Sequence, residues 1–189
     1  MLTTNPQARV LACAPSNSAA DLIASRLKVG LTTDELFRFY APSRFKNQVA
    51  DDLLSYTYTT PDGHFAVPGG SMAATRMKRF RAIVTTCLSA SIASGIGMPR
   101  GHFSHIFIDE AGQATEPEAL VSIKTMADTK TNIVLSGDPK QLGPIIRSGI
   151  ARELGLEVSY LERLMEREAY NVRTGYGKRS AFPTLYRFQ

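Results

Sequence analysis

Apolar residues along the chain fall into short runs that alternate with a segment of helical spacing. The first run, Arg9–Ala14, ends at Pro15 and predicts a buried strand, because proline cannot continue a ladder of backbone hydrogen bonds. Apolar residues then recur with the period of a helix at Ala19, Ile23 and Leu27. Ser18, with Asp21 three residues later, matches a helix-capping pattern. The chain is therefore expected to begin with a strand followed by a helix.

The middle of the chain gives weaker patterns. Leu36–Tyr40 is an apolar run that predicts another strand. Tyr56–Thr60 and His64–Val67 flank Pro61-Asp62-Gly63, which is a turn signal. These segments predict an inserted hairpin.

Three later apolar runs predict further strands: Ala82–Val84, Ile106–Ile108 and Ile133–Leu135. Each run ends in polar residues that are unusual at core positions: Thr85-Thr86, Asp109-Glu110 and Ser136-Gly137-Asp138. Strands rich in Ile and Val that alternate with helices indicate a parallel sheet covered by helices, an α/β fold. Ligands of such sheets gather at the carboxyl ends of the strands. We therefore expect the polar endings to lie along one edge.

Composition narrows the class of protein. With 189 residues, 43% of them hydrophobic and 21% charged, the chain suits one globular domain. Its apolar runs are far shorter than the ~20 residues that cross a bilayer, and Met1–Gln7 is too polar for a secretory signal. We expect a protein of the cytosol or the nucleus without a membrane partner, and of these two we choose a cytoplasmic location. Cys13 and Cys87 lack the spacing of a zinc site or a disulfide framework, which favours buried free thiols.

Charge is distributed unevenly. The net charge of +5 is modest, but the segment from Gly63 to Ser104 has no acidic residue. Its basic residues are Arg76, Lys78, Arg79, Arg81 and Arg100. This segment is either a basic face for nucleic acid or the solvated side of a helix.

Two adjacent carboxylates, Asp109 and Glu110, end a buried strand, where an unpaired charge would be costly. A cation is expected to meet them. In phosphoryl transfer, an aspartate at this place holds Mg²⁺, and a neighbouring carboxylate can orient or deprotonate the attacking water. Alone, the pair also fits an ordinary strand-to-loop junction.

The next predicted strand ends in Gly137, Asp138 and Pro139, followed by Gln141. Gly137 allows a close backbone approach, and Pro139 fixes the turn. The amide of Gln141 can donate to a phosphate oxygen and accept from water. The second polar strand end favours a nucleotide site over a solvated turn.

Four blocks occur in a fixed order: Ala14-Pro15-Ser16-Asn17-Ser18, Val84-Thr85-Thr86-Cys87, Asp109-Glu110-Ala111-Gly112-Gln113 and Gly137-Asp138-Pro139-Lys140-Gln141-Leu142-Gly143-Pro144. They resemble motifs Ia, Ic, II and III of superfamily-one helicases of the up-frameshift-like branch. Ala114–Leu120 and Leu156–Arg167 narrow the resemblance to the RNA helicases called Armitage, silencing-defective or Moloney leukaemia virus ten homologues. The resemblance covers about 9–178.

The resemblance implies a role for each matched residue. Asp109 would hold Mg²⁺, Glu110 would be the catalytic base, and Gln141 would read the terminal phosphate of ATP. Gly137 and Asp138 would belong to the same nucleotide site. Residues of the first two blocks would contact the nucleic-acid backbone: Pro15, Ser16, Asn17, Thr85 and Thr86. Without the resemblance, Ser16–Ser18 fits simple helix capping, and Thr85-Thr86 fits β-branched strand residues.

The chain also departs from the family pattern. It contains no Gly-x-x-x-x-Gly-Lys-[Ser/Thr] block, the phosphate-binding loop expected before Arg9. It ends in Arg179–Gln189, where the family continues towards a second motor domain. These departures predict a partial first RecA-like P-loop NTPase domain over 1–177, with an insert at roughly 41–80 and a divergent tail at 178–189.

The resemblance implies part of an ATP-dependent RNA helicase, moving 5′ to 3′ and linked to RNA silencing. ATP and Mg²⁺ would be its cofactors, and RNA and silencing proteins its partners. Two alternatives remain open: a catalytically inactive nucleic-acid-binding module, and a DNA helicase of the same branch.

Overall fold

A computed structural model describes residues 2, 4–139 and 141–170; the predicted tail at 178–189 lies outside them. Five strands form one sheet: β1 (Val10–Ala14), β2 (Leu36–Arg38), β3 (Ala82–Thr86), β4 (His105–Ile108) and β5 (Asn132–Leu135). Their order across the sheet is β2-β3-β1-β4-β5, and every neighbouring pair is parallel. The predicted parallel sheet is confirmed.

Seven α-helices lie in the described part of the chain: α1 (Asn17–Leu27), α2 (Asp51–Leu54), α3 (Ala73–Met77), α4 (Ser91–Gly95), α5 (Glu116–Met126), α6 (Gly149–Glu153) and α7 (Tyr160–Met165). A capping box starts α5, because Thr115 accepts from the backbone N–H of Glu118 and the Glu118 carboxylate accepts from that of Thr115. None of the described helices has the length and apolar character needed to cross a membrane.

The predicted cap of α1 at Ser18 is wrong. Ser16 has extended backbone geometry, and its Oγ accepts from the backbone N–H of Ala19 at 3.2 Å. Both serines could cap by sequence, but the backbone leaves the β conformation only after Ser16. The helix therefore follows β1 with only Pro15 and Ser16 between them.

Side chains alternate between the two faces of the sheet, and each face has its own apolar core. Leu11, Cys13 and Ile106 pack with α5 and the segment at 88–93. Val10, Ala12 and Val84 pack on the other face with Ala20 and Ala24 of α1. The sheet is thus sandwiched between helical layers, with β1 buried along its whole length.

The middle segment, 41–80, carries no strand of the sheet among its described residues. The predicted hairpin turn forms, since the backbone N–H of Thr60 donates to His64 O at 2.8 Å and Gly63 adopts φ +89°. Its flanks share a single antiparallel bridge, Thr59 to Phe65, rather than two regular strands. The insert is therefore mostly irregular chain and single helical turns.

Strand β5 is an edge of the sheet within the described residues, because it pairs only with β4. Ile133, Val134 and Leu135 are all partly exposed there. An apolar edge strand leaves backbone donors and acceptors available for a further strand.

Candidate functional site: the carboxyl edge of the sheet

The carboxyl ends of all five strands lie at one edge because every strand is parallel. The strand order places Thr86 and the start of α1 towards one side of this edge. Asp109, after β4, and Gly137, after β5, lie towards the other. The edge is thus divided between the residues matched to nucleic-acid motifs and those matched to nucleotide motifs.

Asp109 is held at the end of β4 by both neighbouring strands. Its backbone N–H donates to Cys13 O at 2.8 Å, which ties it to β1. Its Oδ1 accepts from the Ser136 hydroxyl at 2.5 Å, and the backbone N–H of Ala111 donates to Ser136 O at 2.8 Å. Ser136 therefore orients the carboxylate from the end of β5.

Glu110 adopts φ +53°, the only positive φ of a non-glycine residue in the described chain. Left-handed backbone at such a residue stores ~1–3 kcal/mol of strain and is concentrated at functional sites. The Gln113 amide donates to Glu110 Oε2 at 3.2 Å, and the backbone N–H of Gln113 donates to Glu110 O at 2.9 Å. The chain therefore changes direction sharply directly after Asp109.

The turns after β4 and β5 pack directly against each other because two positions lack side chains. A Cβ at Gly137, whose φ is +147°, would lie 2.9 Å from Ala111 N. A Cβ at Gly112 would lie 2.8 Å from Asp138 O. Both glycines are required for this approach, as the sequence predicted for Gly137.

Gln141 follows in the same loop, and its backbone N–H donates to Asp138 O at 3.2 Å. Its side chain is exposed at the carboxyl edge. The structure thus brings Asp109, Glu110, Gly137, Asp138 and Gln141 to two adjoining turns.

The cation expected beside the two carboxylates is not supplied by the described residues, in which neither Asp109 nor Glu110 forms an ion pair. Nor does this part of the chain contain a cluster of three or more His, Cys, Asp or Glu residues able to hold a metal ion. Mg²⁺ bound with nucleotide needs only one or two protein carboxylates, since phosphates and waters complete its shell. A single carboxylate oriented by a hydroxyl, as at Asp109, fits that need.

Ser16, Asn17 and Thr86 lie at the other part of the edge. Ser16 Oγ is exposed and lies 3.0 Å from Ser18 Oγ. Thr86 is partly exposed, and its Oγ1 accepts from the backbone N–H of Ser89 at 3.4 Å. Pro15 links β1 to Ser16 and is partly exposed. These residues present hydroxyl and amide groups beside the start of a helix.

Thr85 does not share this surface. Its side chain is only 1% exposed and points towards the face of the sheet that carries Cys13, because alternate residues of a strand point to opposite faces. Its Oγ1 is buried and has no hydrogen-bond partner among the residues that the structure describes. The nucleic-acid contact that the resemblance assigns to Thr85 stays a prediction, for a residue whose side chain is buried on the Cys13 face of the sheet.

The basic cluster, defined as Arg76, Lys78 and Arg79, lies at the opposite end of the sheet. These residues directly precede β3, so they sit near the amino ends of the strands, and all three are exposed. Arg81 is engaged elsewhere, since its Nη1 lies 3.0 Å from Glu35 Oε1. Strand β3 separates the basic cluster from Thr86 and the carboxyl edge.

Two residues of the site were missed by sequence reasoning. Ser136 was noted only as a polar strand ending, although it bonds Asp109. Arg38 is fully buried and donates to Asp21 and Asn17. A lone arginine inside the apolar run Leu36–Tyr40 was the available signal, because buried guanidinium groups need partners.

The two cysteines are buried free thiols, as expected. Burial raises the pKa of both, and for Cys87 it does so to about 12, with the Glu118 carboxylate adding to the effect. Both thiols stay protonated at neutral pH, so neither is a nucleophile or metal ligand in this state.

A five-stranded parallel sheet between helical layers, with an acidic strand end beside a glycine-containing turn, defines an incomplete RecA-like α/β domain. A family model described as "AAA domain" matches residues 69–149.

Curated relatives narrow the class further. The chain is 46% identical to "RNA helicase Mov10l1" of Homo sapiens, covering 87% of this chain and 13% of the relative. The mouse protein of the same name is 44% identical, with the same coverage of each chain. "Probable RNA helicase armi" of Drosophila melanogaster is 35% identical over 87% of this chain and 15% of that protein. The chain therefore spans less than a fifth of the length of these relatives.

The chain belongs to the superfamily-one helicases, in the family of the Armitage proteins and the Moloney leukaemia virus ten homologues.

Proposed function

We propose that the chain is part of an ATP-dependent RNA helicase that unwinds or remodels RNA. We further propose that it moves 5′ to 3′ on single-stranded or partly duplex RNA and serves RNA silencing in the cytoplasm, with silencing proteins as partners. The observation that carries the proposal is the acidic pair Asp109 and Glu110 at the carboxyl end of β4, packed against the glycine turn after β5. Relatives that are named RNA helicases support the choice of nucleic acid.

Asp109 is the residue that would hold Mg²⁺ beside the phosphates of ATP. The hydroxyl of Ser136 donates to Oδ1, so Oδ2 would be the carboxylate oxygen available to a metal ion. When bound, Mg²⁺ supplies charge neutralisation of the phosphate oxygens during phosphoryl transfer.

Glu110 is the residue that would take the proton from the attacking water. Its backbone is left-handed, and the Gln113 amide donates to Oε2 of its carboxylate. A general base must lie within hydrogen-bond reach of the proton that it abstracts, so its backbone geometry matters as much as its charge.

Gln141 is the residue that would respond to the terminal phosphate. It stands after the turn that packs on the Asp109 turn through Gly137 and Asp138. A side-chain amide can donate to a phosphate oxygen and accept from a water at the same time. Loss of the terminal phosphate would then change the hydrogen bonds of the loop that follows β5.

RNA would be bound through its backbone at the other part of the edge. Ser16 and Thr86 offer hydroxyls, and Asn17 offers an amide at the first turn of α1. Helix starts and hydroxyl groups are good phosphate partners and read no sequence. Binding is therefore expected to be largely independent of RNA sequence.

The test is Glu110→Gln in the full-length protein, measured as RNA-stimulated ATP turnover and as nucleotide affinity. Loss of a general base lowers turnover by ~10²- to 10⁴-fold, while the amide keeps the shape of the side chain and nucleotide binding. The matched control is Glu153→Gln, an exposed glutamate at the end of α6. A fall in nucleotide affinity that parallels the fall in turnover would contradict the assigned role.

The same assay separates the alternatives. No turnover by the wild-type protein in the presence of RNA would favour an inactive binding module. RNA and DNA strands of one sequence are then compared, since the 2′-hydroxyl distinguishes them. Equal or stronger stimulation by DNA would favour a DNA helicase.

A further inference from the structure

Arg38 ends strand β2 and is completely buried. Its Nε donates to Asp21 Oδ1 at 2.8 Å, and its Nη1 donates to Phe39 O at 2.6 Å. The guanidinium carbon lies 4.0 Å from the centroid of the Tyr40 ring, and the Tyr40 hydroxyl donates to Asp21 Oδ1 at 2.7 Å. A charge buried this deeply is tolerated because it is paired and hydrogen-bonded.

The remaining arm of the guanidinium reaches the start of α1. Arg38 Nη2 donates to Asn17 Oδ1 at 3.0 Å and lies 3.4 Å from Asn17 O. A guanidinium has donors and no acceptor, so only the oxygen of the Asn17 amide can face it. The orientation of this amide is therefore fixed by chemistry, with Oδ1 turned inward and Nδ2 turned away from Arg38.

Asn17 Nδ2 has no partner among the described residues. Asn17 is the first residue of α1 and directly follows the exposed cap Ser16. The first turn of this helix contains no acidic residue. The amide therefore offers a hydrogen-bond donor, in a position where the backbone also offers donors.

We propose that Arg38 is a positioning residue, which locks the Asn17 amide so that Nδ2 donates to a phosphodiester oxygen of single-stranded RNA. The inference rests on the proposed RNA-binding function. Asp21 and Tyr40 complete the lock, since they hold the guanidinium from its other sides. Ionised phosphate oxygens accept hydrogen bonds and never donate them, so the Asn17 amide could not bind them if its oxygen faced outward.

The charge of Arg38 does not itself contribute to RNA attraction. Asp21 neutralises it at 2.8 Å, and no part of its side chain is exposed. Only a cation that contacts phosphate releases counterions. The inference thus predicts that Arg38 affects RNA affinity but not the salt dependence of binding.

The experiment compares Asn17→Asp with Ser18→Asp in the full-length protein, using a fluorescent oligouridine as the probe. Both variants add one negative charge to the first turn of α1, so they share the same repulsion and the same helix-dipole effect. Asp at position 17 keeps an acceptor for Arg38 but replaces the outward donor with an acceptor. We expect Asn17→Asp to lose about tenfold more affinity than Ser18→Asp, the scale of one hydrogen bond to a charged group. The midpoint of thermal unfolding of Asn17→Asp should be no lower than that of Ser18→Asp.

A second measurement separates positioning from a purely structural role. Lysine at position 38 keeps the charge beside Asp21 but lacks the planar fork that reaches Asn17 as well. Arg38→Lys and Asn17→Ala should each weaken RNA binding at an unchanged salt slope, and the double variant should lose no more than Asn17→Ala alone.

Three outcomes would overturn the inference. Equal losses of RNA affinity in Asn17→Asp and Ser18→Asp would show that only the added charge matters. If the fold losses of RNA affinity in Arg38→Lys and Asn17→Ala multiply in the double variant, Arg38 does not act through Asn17. Absence of RNA binding by the wild-type protein would overturn the proposed function, and this inference with it.

Discussion

Replacing Thr85 with valine is predicted to stabilise the protein. Thr85 lies in β3 and is 1% exposed, and its buried hydroxyl meets no hydrogen-bond partner in the described part of the chain. Valine has nearly the same shape, so the substitution removes the unpaired oxygen without leaving a cavity. Valine also suits a buried strand.

The size of the effect follows from the cost of the unpaired hydroxyl. A buried polar group without a partner costs about 1–3 kcal/mol, and we expect Thr85→Val to recover about 1–2 kcal/mol of it. For a chain of this size, 1 kcal/mol shifts the melting temperature by about 2–4 °C, so a rise of about 2–8 °C is expected.

The neighbouring threonine provides the matched control. Thr86 Oγ1 accepts from the backbone N–H of Ser89, and the residue is partly exposed. Thr86→Val removes that bond and should lower the free energy of unfolding by about 0.5–1 kcal/mol. Both variants are measured by urea unfolding followed by circular dichroism, and their RNA affinities are compared. Thr86→Val should weaken RNA binding, whereas Thr85→Val should not.

Opposite results would refute the reasoning. A loss of stability of about 1 kcal/mol or more in Thr85→Val would mean that the hydroxyl contributes a bond that the geometry does not contain. A loss of RNA affinity in Thr85→Val, with the fold intact, would return Thr85 to the nucleic-acid surface.

Three further predictions concern the edges of the sheet. Gly137→Ala should destabilise the protein by ~1–3 kcal/mol, because the φ of Gly137 is +147° and a Cβ there would lie 2.9 Å from Ala111 N. The control variant Gly30→Ala should be neutral or slightly stabilising, because no atom lies within 4 Å of a Cβ at Gly30. Equal free energies of unfolding for the two variants would contradict this prediction. The isolated 189-residue chain should self-associate through β5 (Asn132–Leu135), as light scattering across a concentration series would detect; a monomer throughout the series would disprove it. Arg79→Ala should leave both the affinity and the salt slope of RNA binding unchanged, since the basic cluster lies away from the carboxyl edge; a flatter slope would restore the cluster to the RNA site.

The sequence by itself determined the class of fold and the chemistry at its edge. Short apolar runs ending in Thr86, Asp109 and Ser136 predicted parallel strands with polar ends on one side, and the sheet has that arrangement. Hydrophobic periodicity is read locally, so strands and long helices could be found from it. The order of four motif blocks was also enough to indicate the helicase family.

The sequence was less informative where local patterns compete. Ser16 and Ser18 are equally good caps by composition, and only the backbone path after β1 selects Ser16. Thr85 and Thr86 are identical residues side by side, and the pleat of β3 buries one and exposes part of the other. In both cases the deciding quantity is a backbone direction rather than a residue type.

The tertiary structure alone decided which distant residues act together. Ser136 meets Asp109 across 27 positions, and Arg38 meets Asn17 across 21. The same packing places the basic cluster away from the proposed RNA surface, because β3 carries the chain from one end of the sheet to the other. Sequence patterns report neighbours along a helix or strand, whereas contacts between elements depend on strand order, and strand order is set by packing of the whole sheet.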